Sequence, residues 1–474
     1  MDLVGRYDAQ DRLQYRLKSS KSELVAILGR RRVGKTFLIR KVLSKHIVFD
    51  YTGLYRGHLD EHLQRFATQL SASFNTIGDV KVPRSWFEAF DLLSSFITRS
   101  RSKRKKVIFL DEFPWLATNK SRFLTAFTDF WNNFATHRDD LMVVICGSSA
   151  SWMIQHVLKN KGGLHNRVTE RIILDPFTLS ETKEFLRKKH IIISEVDIIQ
   201  LYMAMGGIPY YLDLMEKGES VVQFIDRTCF RKSGILRTEY DELLSSLFDH
   251  SDKHIAIVEA LHDHPRGLTR PRLLKKTKLK SGGGTTSILN ELSSSGFIDI
   301  QIPYGRKRKD QLYKLKDHYT HFYLKYIRNY KAGARNVWTK IVTSPSFRSW
   351  SGLAFEQICY DHIDKIKEAL GIEGIYTEHS AWHTTATDEL PGAQIDLLID
   401  RADNIINLCE IKYSVSPWVI TKDYADKLRT KMAVFSQSIP KSKVIFPTMI
   451  TSLGLVDNLY SSMIQQSIEA KDLF

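Results

Sequence analysis

Residues 24–36, LVAILGRRRVGKT, decide the fold of the N-terminal part of this chain. The first five, 24–28, are apolar and branched enough to form a buried strand. The next eight fit the pattern G-x-x-x-x-G-K-[ST] at every fixed position, and residues 37–43 then carry apolar side chains at helical spacing. A strand, a glycine loop and a helix in this order form a phosphate-binding loop, because the loop N–H groups and the helix N-terminus point at phosphate oxygens. The alternative is a chance glycine turn, against which the flanking elements argue.

Each residue of this loop is a candidate nucleotide contact. Lys35 is placed to reach the β- and γ-phosphates, and the Thr36 hydroxyl is placed to ligate Mg²⁺. Three arginines are an unusual charge for such a loop, but they occupy its variable positions. The candidate residues are Gly29, Arg30, Arg31, Arg32, Val33, Gly34, Lys35 and Thr36.

A second apolar run, residues 107–110, ends in two carboxylates, Asp111 and Glu112. We expect a strand here, with Asp111 in the Mg²⁺ shell and Glu112 polarising the attacking water. Two acids before Pro114 can also serve as a simple helix N-terminus. The phosphate loop elsewhere in the chain favours the catalytic interpretation.

A further candidate is Arg167, which follows a glycine-containing loop at 161–163. We expect it to reach a γ-phosphate, either within its own chain or from a neighbouring subunit, which leaves a homo-oligomer open. The alternative is a surface arginine. Strands alternate with helices over the first 177 residues, and this alternation predicts an α/β fold with a parallel sheet covered on both faces.

Charge and composition narrow the class of protein. The chain has 474 residues, enough for about three domains. Its 69 Lys and Arg against 53 Asp and Glu give a formal net charge of +16, which favours nucleic acid as partner over a generally basic soluble protein. The four cysteines show no metal spacing. We find no signal peptide and no apolar run of membrane-spanning length, and we therefore expect a cytoplasmic protein that does not bind a membrane.

Five segments together resemble the prokaryotic, archaeal-type ATPase family that is grouped near the STAND and AAA+ NTPases. They are GRRRVGKT (29–36), FLDE (109–112), GSS (147–149), DPF (175–177) and GGIPYYL (206–212). The resemblance implies ATP as the nucleotide, and it makes Ser148, after a third strand, a sensor of the γ-phosphate. Residues 1–177 would be the ATPase core. The mainly helical residues 178–250 would be a lid on it.

Residues 251–317 predict a small winged helix. A helix beginning near Gly284 with Thr and Ser at its start is a candidate recognition helix, and four basic residues, 306–309, lie at the candidate wing tip. Such a tip can lie against DNA phosphates while the helix enters the major groove. The alternative is a winged helix that only packs between domains. Residues 318–349 predict a helical connector.

The last segment, residues 350–474, combines a helix that carries Glu356 with two strands at 394–400 and 405–413. Period-two alternation puts Glu410 and Lys412 on one face, and an antiparallel hairpin brings Asp396 opposite Glu410. Carboxylates and a lysine that face one point are suited to Mg²⁺ and a phosphate. We therefore expect Asp396 and Glu410 to be metal ligands and Lys412 to be catalytic. A solvated hairpin edge is the alternative.

This pattern resembles the PD-(D/E)XK nuclease superfamily, although the proline that usually precedes the aspartate is five positions early, at Pro391. The resemblance implies an α/β restriction-endonuclease-like domain. The whole chain then predicts an ATP-hydrolysing, DNA-binding protein whose nucleotide state gates a metal-dependent nuclease-like site. The main alternative is a nucleotide switch or DNA-binding regulator whose C-terminal domain only binds a partner.

Overall fold

The structure is a computed structural model that describes residues 2–75, 80–100, 104–159, 164, 166–248, 250–331, 333, 336–386 and 391–474. It divides the chain into two compact units, Met1–Pro176 and Phe177–Phe474. None of the described helices has both the length and the apolar character needed to cross a bilayer.

The first unit is built on a parallel sheet. Its described strands are β1 (Glu23–Leu28), β2 (Ile47–Thr52), β3 (Lys106–Asp111), β4 (Leu141–Cys146) and β5 (Glu170–Ile173). Their order is β2-β3-β4-β1-β5, and every neighbouring pair is parallel. The residues of β1, β3 and β4 are buried throughout, as expected for central strands covered on both faces. The predicted α/β class with a parallel sheet is confirmed.

Helices cover this sheet. They are α1 (Tyr7–Leu17), α2 (Lys35–Leu43), α3 (Leu59–Phe74), α4 (Trp86–Arg99), α5 (Phe113–Leu116), α6 (Phe123–Asn133) and α7 (Ala150–Met153). The Ser85 side chain caps α4 by accepting a hydrogen bond from the Glu88 N–H, which satisfies a terminal donor. Buried aromatic residues of α4 and α6, among them Trp86 and Phe123 with ring centroids 4.9 Å apart, pack against the sheet.

The second unit begins with the helices that the sequence assigned to a lid. They are α8 (Leu179–Lys188), α9 (Glu195–Met205), α10 (Pro209–Asp213), α11 (Val221–Ile225) and α12 (Glu239–Leu247). Gly206 ends α9 in the left-handed region at φ 62°, and Pro209 begins α10. The predicted helix break is therefore present. These helices belong to the compact unit that begins at Phe177.

A segment of three helices and a three-stranded antiparallel sheet follows, here called the 252–315 segment. Its elements are α13 (Asp252–His262), β6 (Leu268–Thr269), α14 (Arg270–Thr277), α15 (Gly283–Ser294), β7 (Ile298–Gln301) and β8 (Leu312–Leu315). The strand order is β6-β8-β7. In β8 the side chains of Tyr313 and Leu315 are buried, so Lys314 projects from the opposite face of the strand.

The C-terminal part holds a mixed sheet, here called the C-terminal sheet. The helices before it are α16 (His318–Lys325), α17 (Val337–Ile341), α18 (Pro345–Asp361) and α19 (Ile363–Ala369). The sheet elements are β9 (Thr377–Thr384), β10 (Ala393–Arg401), β11 (Ile405–Lys412), α20 (Lys422–Ser436), β12 (Val444–Thr451) and β13 (Gln466–Glu469).

The C-terminal sheet has the strand order β13-β12-β11-β10-β9. Strands β9, β10 and β11 are antiparallel neighbours, while β11, β12 and β13 are parallel. α20 forms the crossover between the parallel strands β11 and β12, a connection that parallel strands require. This mixed sheet is compatible with the predicted restriction-endonuclease-like fold.

Candidate functional sites

The phosphate loop connects β1 to α2. Each of its two glycines is required for a different physical reason. A Cβ at Gly29 would lie 2.3 Å from the Leu174 carbonyl oxygen, so no larger residue fits there. Gly34 caps α2 in the left-handed region at φ 91°, where other residues are strained. The loop is therefore held against the segment after β5 and aims the first N–H groups of α2 at the space above β1.

Lys35 is buried, and its ammonium group donates to carbonyl oxygens of the loop itself. The distances from Lys35 Nζ are 2.8 Å to Gly29 O and 2.9 Å to Arg30 O. Burial lowers the pKa of Lys35, and the negative groups Glu112 and Asp111 oppose this shift. An ammonium group held by two neutral carbonyls gains stronger partners when phosphate oxygens enter the loop.

The pair predicted to hold Mg²⁺ is in direct contact. Thr36 Oγ1 donates to Asp111 Oδ2 at 2.8 Å, although the two residues lie 75 positions apart. Asp111 ends β3, and only β4 separates β3 from β1 in the sheet. One hydroxyl and one carboxylate oxygen at a phosphate loop are the ligand types that Mg²⁺ takes beside nucleotide phosphates. These residues fit the cation.

Glu112 and Ser148 form a second polar pair at the same sheet edge. The Glu112 carboxylate oxygen Oε2 accepts from Ser148 N at 3.0 Å and from Ser148 Oγ at 2.8 Å. Glu112 itself has a φ of 45°, a left-handed conformation that a non-glycine residue rarely adopts. The sequence named both residues separately, but their contact depends on β3 and β4 being neighbours.

Two residues of this site were not identified from the sequence. The Cys146 thiol, at the end of β4, donates to Asp111 Oδ1 at 2.8 Å, and burial raises its pKa so that it stays protonated. Arg6 donates to the carbonyl oxygens of Val33, in the phosphate loop, at 3.4 Å and of Pro176 at 3.2 Å. The position of Cys146 at the end of an apolar strand was the available signal for the first. Arg6 ends the stretch Leu-Val-Gly-Arg, residues 3–6, and spacing alone predicts only the helix that follows it.

The remaining loop residues differ in exposure. Arg30 is 5% exposed, so its side chain is part of the protein interior. The positive charge of Arg31 lies near enough to Lys35 to lower the pKa of that lysine. Arg32 has a φ of 71°, which places a second strained turn before Gly34.

Arg167 lies near the amino-terminal end of β1, at the opposite end of that strand from the phosphate loop. It comes just before β5, where Glu170 pairs with Val25 and the Thr169 N–H donates to Leu24 O at 2.8 Å. The phosphate loop begins beyond the far end of β1, roughly five residues away at about 3.3 Å each. An arginine side chain is too short for that separation, so Arg167 does not reach the loop of its own chain. A role toward a neighbouring subunit stays a prediction; the glycines before Arg167 lie outside the described residues.

The second candidate site is a carboxylate cluster on the C-terminal sheet. The register of β10 and β11 pairs Leu397 with Cys409, which brings Asp396 across from Glu410. Glu356 comes from α18, where the charge of Asp396 raises its pKa and the charge of Lys412 lowers it. Burial, reinforced by Asp396, raises the pKa of Glu356 to about 7. The structure thus brings Asp396 and Glu410 together on neighbouring strands, with Glu356 on a nearby helix.

Lys412 lies among the oxygens of this cluster. Its Nζ is 3.5 Å from Asp396 Oδ2, 3.4 Å from Glu410 Oε2 and 3.0 Å from the Ile411 carbonyl oxygen. Burial would lower the pKa of Lys412, but Glu410 and Asp396 raise it above its ordinary value. A cation of the chain thus occupies the centre of an oxygen donor set that is chemically suited to Mg²⁺. In the described part of the chain no three His, Cys, Asp or Glu side chains are grouped to hold a metal ion.

Glu410 has two further partners that the sequence did not reveal. The side chain is 1% exposed, and Lys431 of α20 donates to its Oε1 at 2.6 Å. Tyr424, also on α20, donates to Oε2 at 3.0 Å. Their spacing of seven residues puts both on one helix face, but nothing in the sequence linked that face to Glu410.

The 252–315 segment contacts the C-terminal sheet through Tyr304, next to the basic tip. Tyr304 N–H donates to Ala381 O of β9 at 3.0 Å, and its ring lies 5.5 Å from that of Phe435. The four basic residues that follow, 306–309, are exposed. The hydroxyls at the start of α15 have internal partners: Thr285 donates to Lys280 O and Thr286 to Gly282 O.

Comparisons with known proteins agree with the N-terminal site. Residues 3–215 match the family described as an ATPase domain predominantly from Archaea. An uncharacterized protein of Methanocaldococcus jannaschii is 24% identical over 99% of this chain and 97% of its own length. An uncharacterized ATP-binding protein of the same organism is 28% identical over 37% of this chain and 48% of its own.

One solved structure is similar in fold. The Walker-type ATPase of Pyrococcus abyssi has a TM-score of 0.52 and 18% identity, and the match covers 68% of this chain and 96% of that protein. This likeness concerns the fold alone. The family match over residues 3–215, this fold and the geometry of the phosphate loop together support an archaeal-type P-loop ATPase in the N-terminal part of the chain, with ATP binding and hydrolysis as its activity.

Proposed function

We propose that this chain is an ATPase that binds DNA and cuts it at the C-terminal carboxylate cluster, with nucleotide state governing access to DNA. The observation that carries the proposal is the convergence of acids and a lysine from one helix and two neighbouring strands. Lys412 contacts both Asp396 and Glu410, and Glu356 is electrostatically coupled to Asp396. Perturbed acids that meet at one point favour a functional site over a solvated hairpin edge.

In the ATPase site, Lys35 binds the β- and γ-phosphates and the loop N–H groups hold them in place. Thr36 and Asp111 hold Mg²⁺, which neutralises charge on the phosphate oxygens when bound. Glu112 orients the attacking water and takes up its proton. Ser148 positions Glu112 through the two hydrogen bonds described above.

Nucleic acid binding is supported by charge and by exposure. The net charge of +16 favours an anionic partner, and the basic tip at 306–309 is exposed on a segment fixed to the C-terminal sheet through Tyr304. We infer that the 252–315 segment is a winged helix whose tip contacts DNA phosphates. The internal hydrogen bonds of the α15 hydroxyls make phosphate contact the main contribution and base reading a minor one.

For strand cleavage, Asp396 and Glu410 are the residues that would hold Mg²⁺, with Glu356 as a supporting acid. A cation held by these residues would supply a more acidic water and would polarise the phosphate. Lys412 then offsets the negative charge that develops on the phosphate oxygens. For this to happen the Lys412 ammonium must leave the centre of the carboxylate oxygens.

The alternative function is a nucleotide switch that binds a partner and cuts nothing. It is favoured by one observation: Lys412 and Lys431 already neutralise the cluster, since both contact Glu410. A buried ion cluster that is satisfied within the chain can be purely structural. Cleavage assays therefore decide between the two functions.

The first prediction concerns the phosphate loop and Glu112. Lys35→Ala removes the cation that meets the phosphates, and we expect it to abolish ATP binding measured by titration calorimetry. Glu112→Gln leaves Thr36 and Asp111 intact, so ATP should still bind while kcat falls by about 100-fold or more. Normal turnover of Glu112→Gln would place the water-orienting group elsewhere.

The second prediction concerns Ser148. Ser148→Ala removes one of the two hydrogen bonds that position the Glu112 carboxylate. We expect kcat for ATP hydrolysis to fall by about tenfold with little change in the Kd for ATP, in steady-state kinetics and nucleotide titration. Ser149→Ala, one position along, is the matched control and should behave as wild type. Equal rates for both variants would remove Ser148 from the site.

The third prediction concerns the basic tip. Replacing Arg306, Lys307, Arg308 and Lys309 with Ala should weaken binding to all DNA sequences alike. The slope of log K against log salt concentration should fall by about one unit for each lost phosphate contact. The control variant removes four other exposed basic residues of the second unit, Arg187, Lys188, Lys217 and Lys232. If both variants lose affinity equally, only the net charge matters and the tip has no special role.

The fourth prediction concerns the carboxylate cluster. Purified protein should cleave DNA with Mg²⁺ or Mn²⁺, and Asp396→Ala and Lys412→Ala should each abolish cleavage while ATP hydrolysis continues. Metal binding, measured by calorimetry without DNA, should fall in Asp396→Ala and survive in Lys412→Ala, because lysine is not a ligand. Wild-type protein that cuts neither DNA nor RNA under any nucleotide and metal condition would leave the switch as the function.

A further inference from the structure

The last strand of the 252–315 segment and the residues after it run beside α18. Lys316 Nζ lies 3.6 Å from Asp361 Oδ1, and His318 Nε2 lies 2.9 Å from Asp361 Oδ2. Lys314 is placed over the ring of Tyr360, with Nζ 5.5 Å from the ring centroid. Lys314, Lys316 and His318 therefore all contact the last turn of α18, the helix that carries Glu356.

A cavity lies between these elements, and Glu356 is the member of the carboxylate cluster that lines it. Its lining includes Lys314, His321, Glu356, Gln357 and Tyr360. Tyr360 also donates through its hydroxyl to the Asp396 carbonyl oxygen at 2.9 Å. The cavity thus has one wall from the 252–315 segment and one wall from the helix beside the C-terminal sheet.

Lys314 differs from the other lysines near the cluster. Lys412 and Lys431 are engaged by Glu410 at 3.4 Å and 2.6 Å. Lys314 forms no ion pair with any carboxylate among the residues that the structure describes, although it lines the same cavity as Glu356. Burial lowers the pKa of Lys314, while Glu356, Asp299 and Asp396 oppose that shift from a longer range.

A desolvated ammonium group without a direct counter-ion favours an anion in contact with it. The acids Glu356 and Asp396 repel a phosphate that approaches the cluster, and the two engaged lysines already offset Glu410. Lys314 is then the cation that remains to meet an incoming phosphate.

We propose that Lys314 contacts one backbone phosphate of a nucleic acid strand that binds across the opening of this cavity. The inference rests on the proposed function, since it assigns a substrate contact to the same carboxylate site. The inference also extends the proposed function, because it makes the 252–315 segment contribute a residue to the site on the C-terminal sheet. The 252–315 segment would then contact the nucleic acid twice, through its basic tip and through Lys314. Binding at the tip would therefore also position the strand beside Glu356.

The test is DNA binding by full-length Lys314→Met and Lys314→Arg. Affinity for a short duplex oligonucleotide is measured over a salt series in EDTA, so that cleavage does not interfere. We expect the slope of log K against log salt to fall by about 0.9 in Lys314→Met and to stay near the wild-type slope in Lys314→Arg. Lys217→Met, an exposed lysine of the helical region, is the control and should keep the wild-type slope.

A wild-type slope in Lys314→Met overturns the proposal, and so does a wild-type protein that does not bind duplex DNA. If Lys314→Met fails to fold in a thermal melt, amine acetylation of wild-type protein decides: Lys314 should be protected by the oligonucleotide, and undiminished labelling overturns the contact. Failure of the proposed function is distinct, because it is seen with metal as absence of cleavage in wild type. If the salt slope falls in Lys314→Met but wild-type protein does not cleave DNA, the Lys314 contact is supported and the nuclease activity is not.

Discussion

The hydrogen bond between Thr36 and Asp111 joins the two halves of the ATPase site, and the first unit is arranged so that it can form. Thr36 lies in the first turn of α2, while Asp111 ends a strand that is two positions away in the sheet. The intervening strand β4 fills the gap with Cys146 and Ser148, which contact Asp111 and Glu112. Because strands β1, β3 and β4 are parallel, all their polar ends meet at one edge. The catalytic groups are thus positioned by buried apolar strands.

In the second unit, the arrangement of the carboxylate cluster depends on the pairing of buried acids with lysines. Three acids, Glu356, Asp396 and Glu410, are buried or nearly so, and a buried carboxylate is costly unless it is paired. Lys412 pairs with Asp396 and Lys431 with Glu410, while burial raises the pKa of Glu356 to about 7. The same pairing is what a bound cation and a phosphate would replace. The charges of Asp396 and Glu410 are therefore compensated within the chain, and the proposed cleavage requires that this pairing be exchanged.

The 252–315 segment carries the basic tip and also contacts the elements around the carboxylate cluster. Tyr304 fixes its tip to β9, and residues after β8 pair with Asp361 of α18. The exposed basic tip and the ammonium group of Lys314 therefore belong to one body with the carboxylate cluster. Under the proposed function, a DNA duplex bound at the tip would lie on the same compact unit as the acids.

The sequence alone determined the elements and most of the candidate chemistry, because a phosphate loop, apolar strands ending in acids and a period-two E-x-K pattern are local features. It therefore named Lys35, Asp111, Asp396 and Lys412 without any contact information. Only the tertiary structure decided which groups meet: Ser148 with Glu112, Lys431 with Glu410, and Arg167 on the sheet edge away from the phosphate loop. Strand order and register are set by packing between residues far apart in the chain, and no local pattern encodes them.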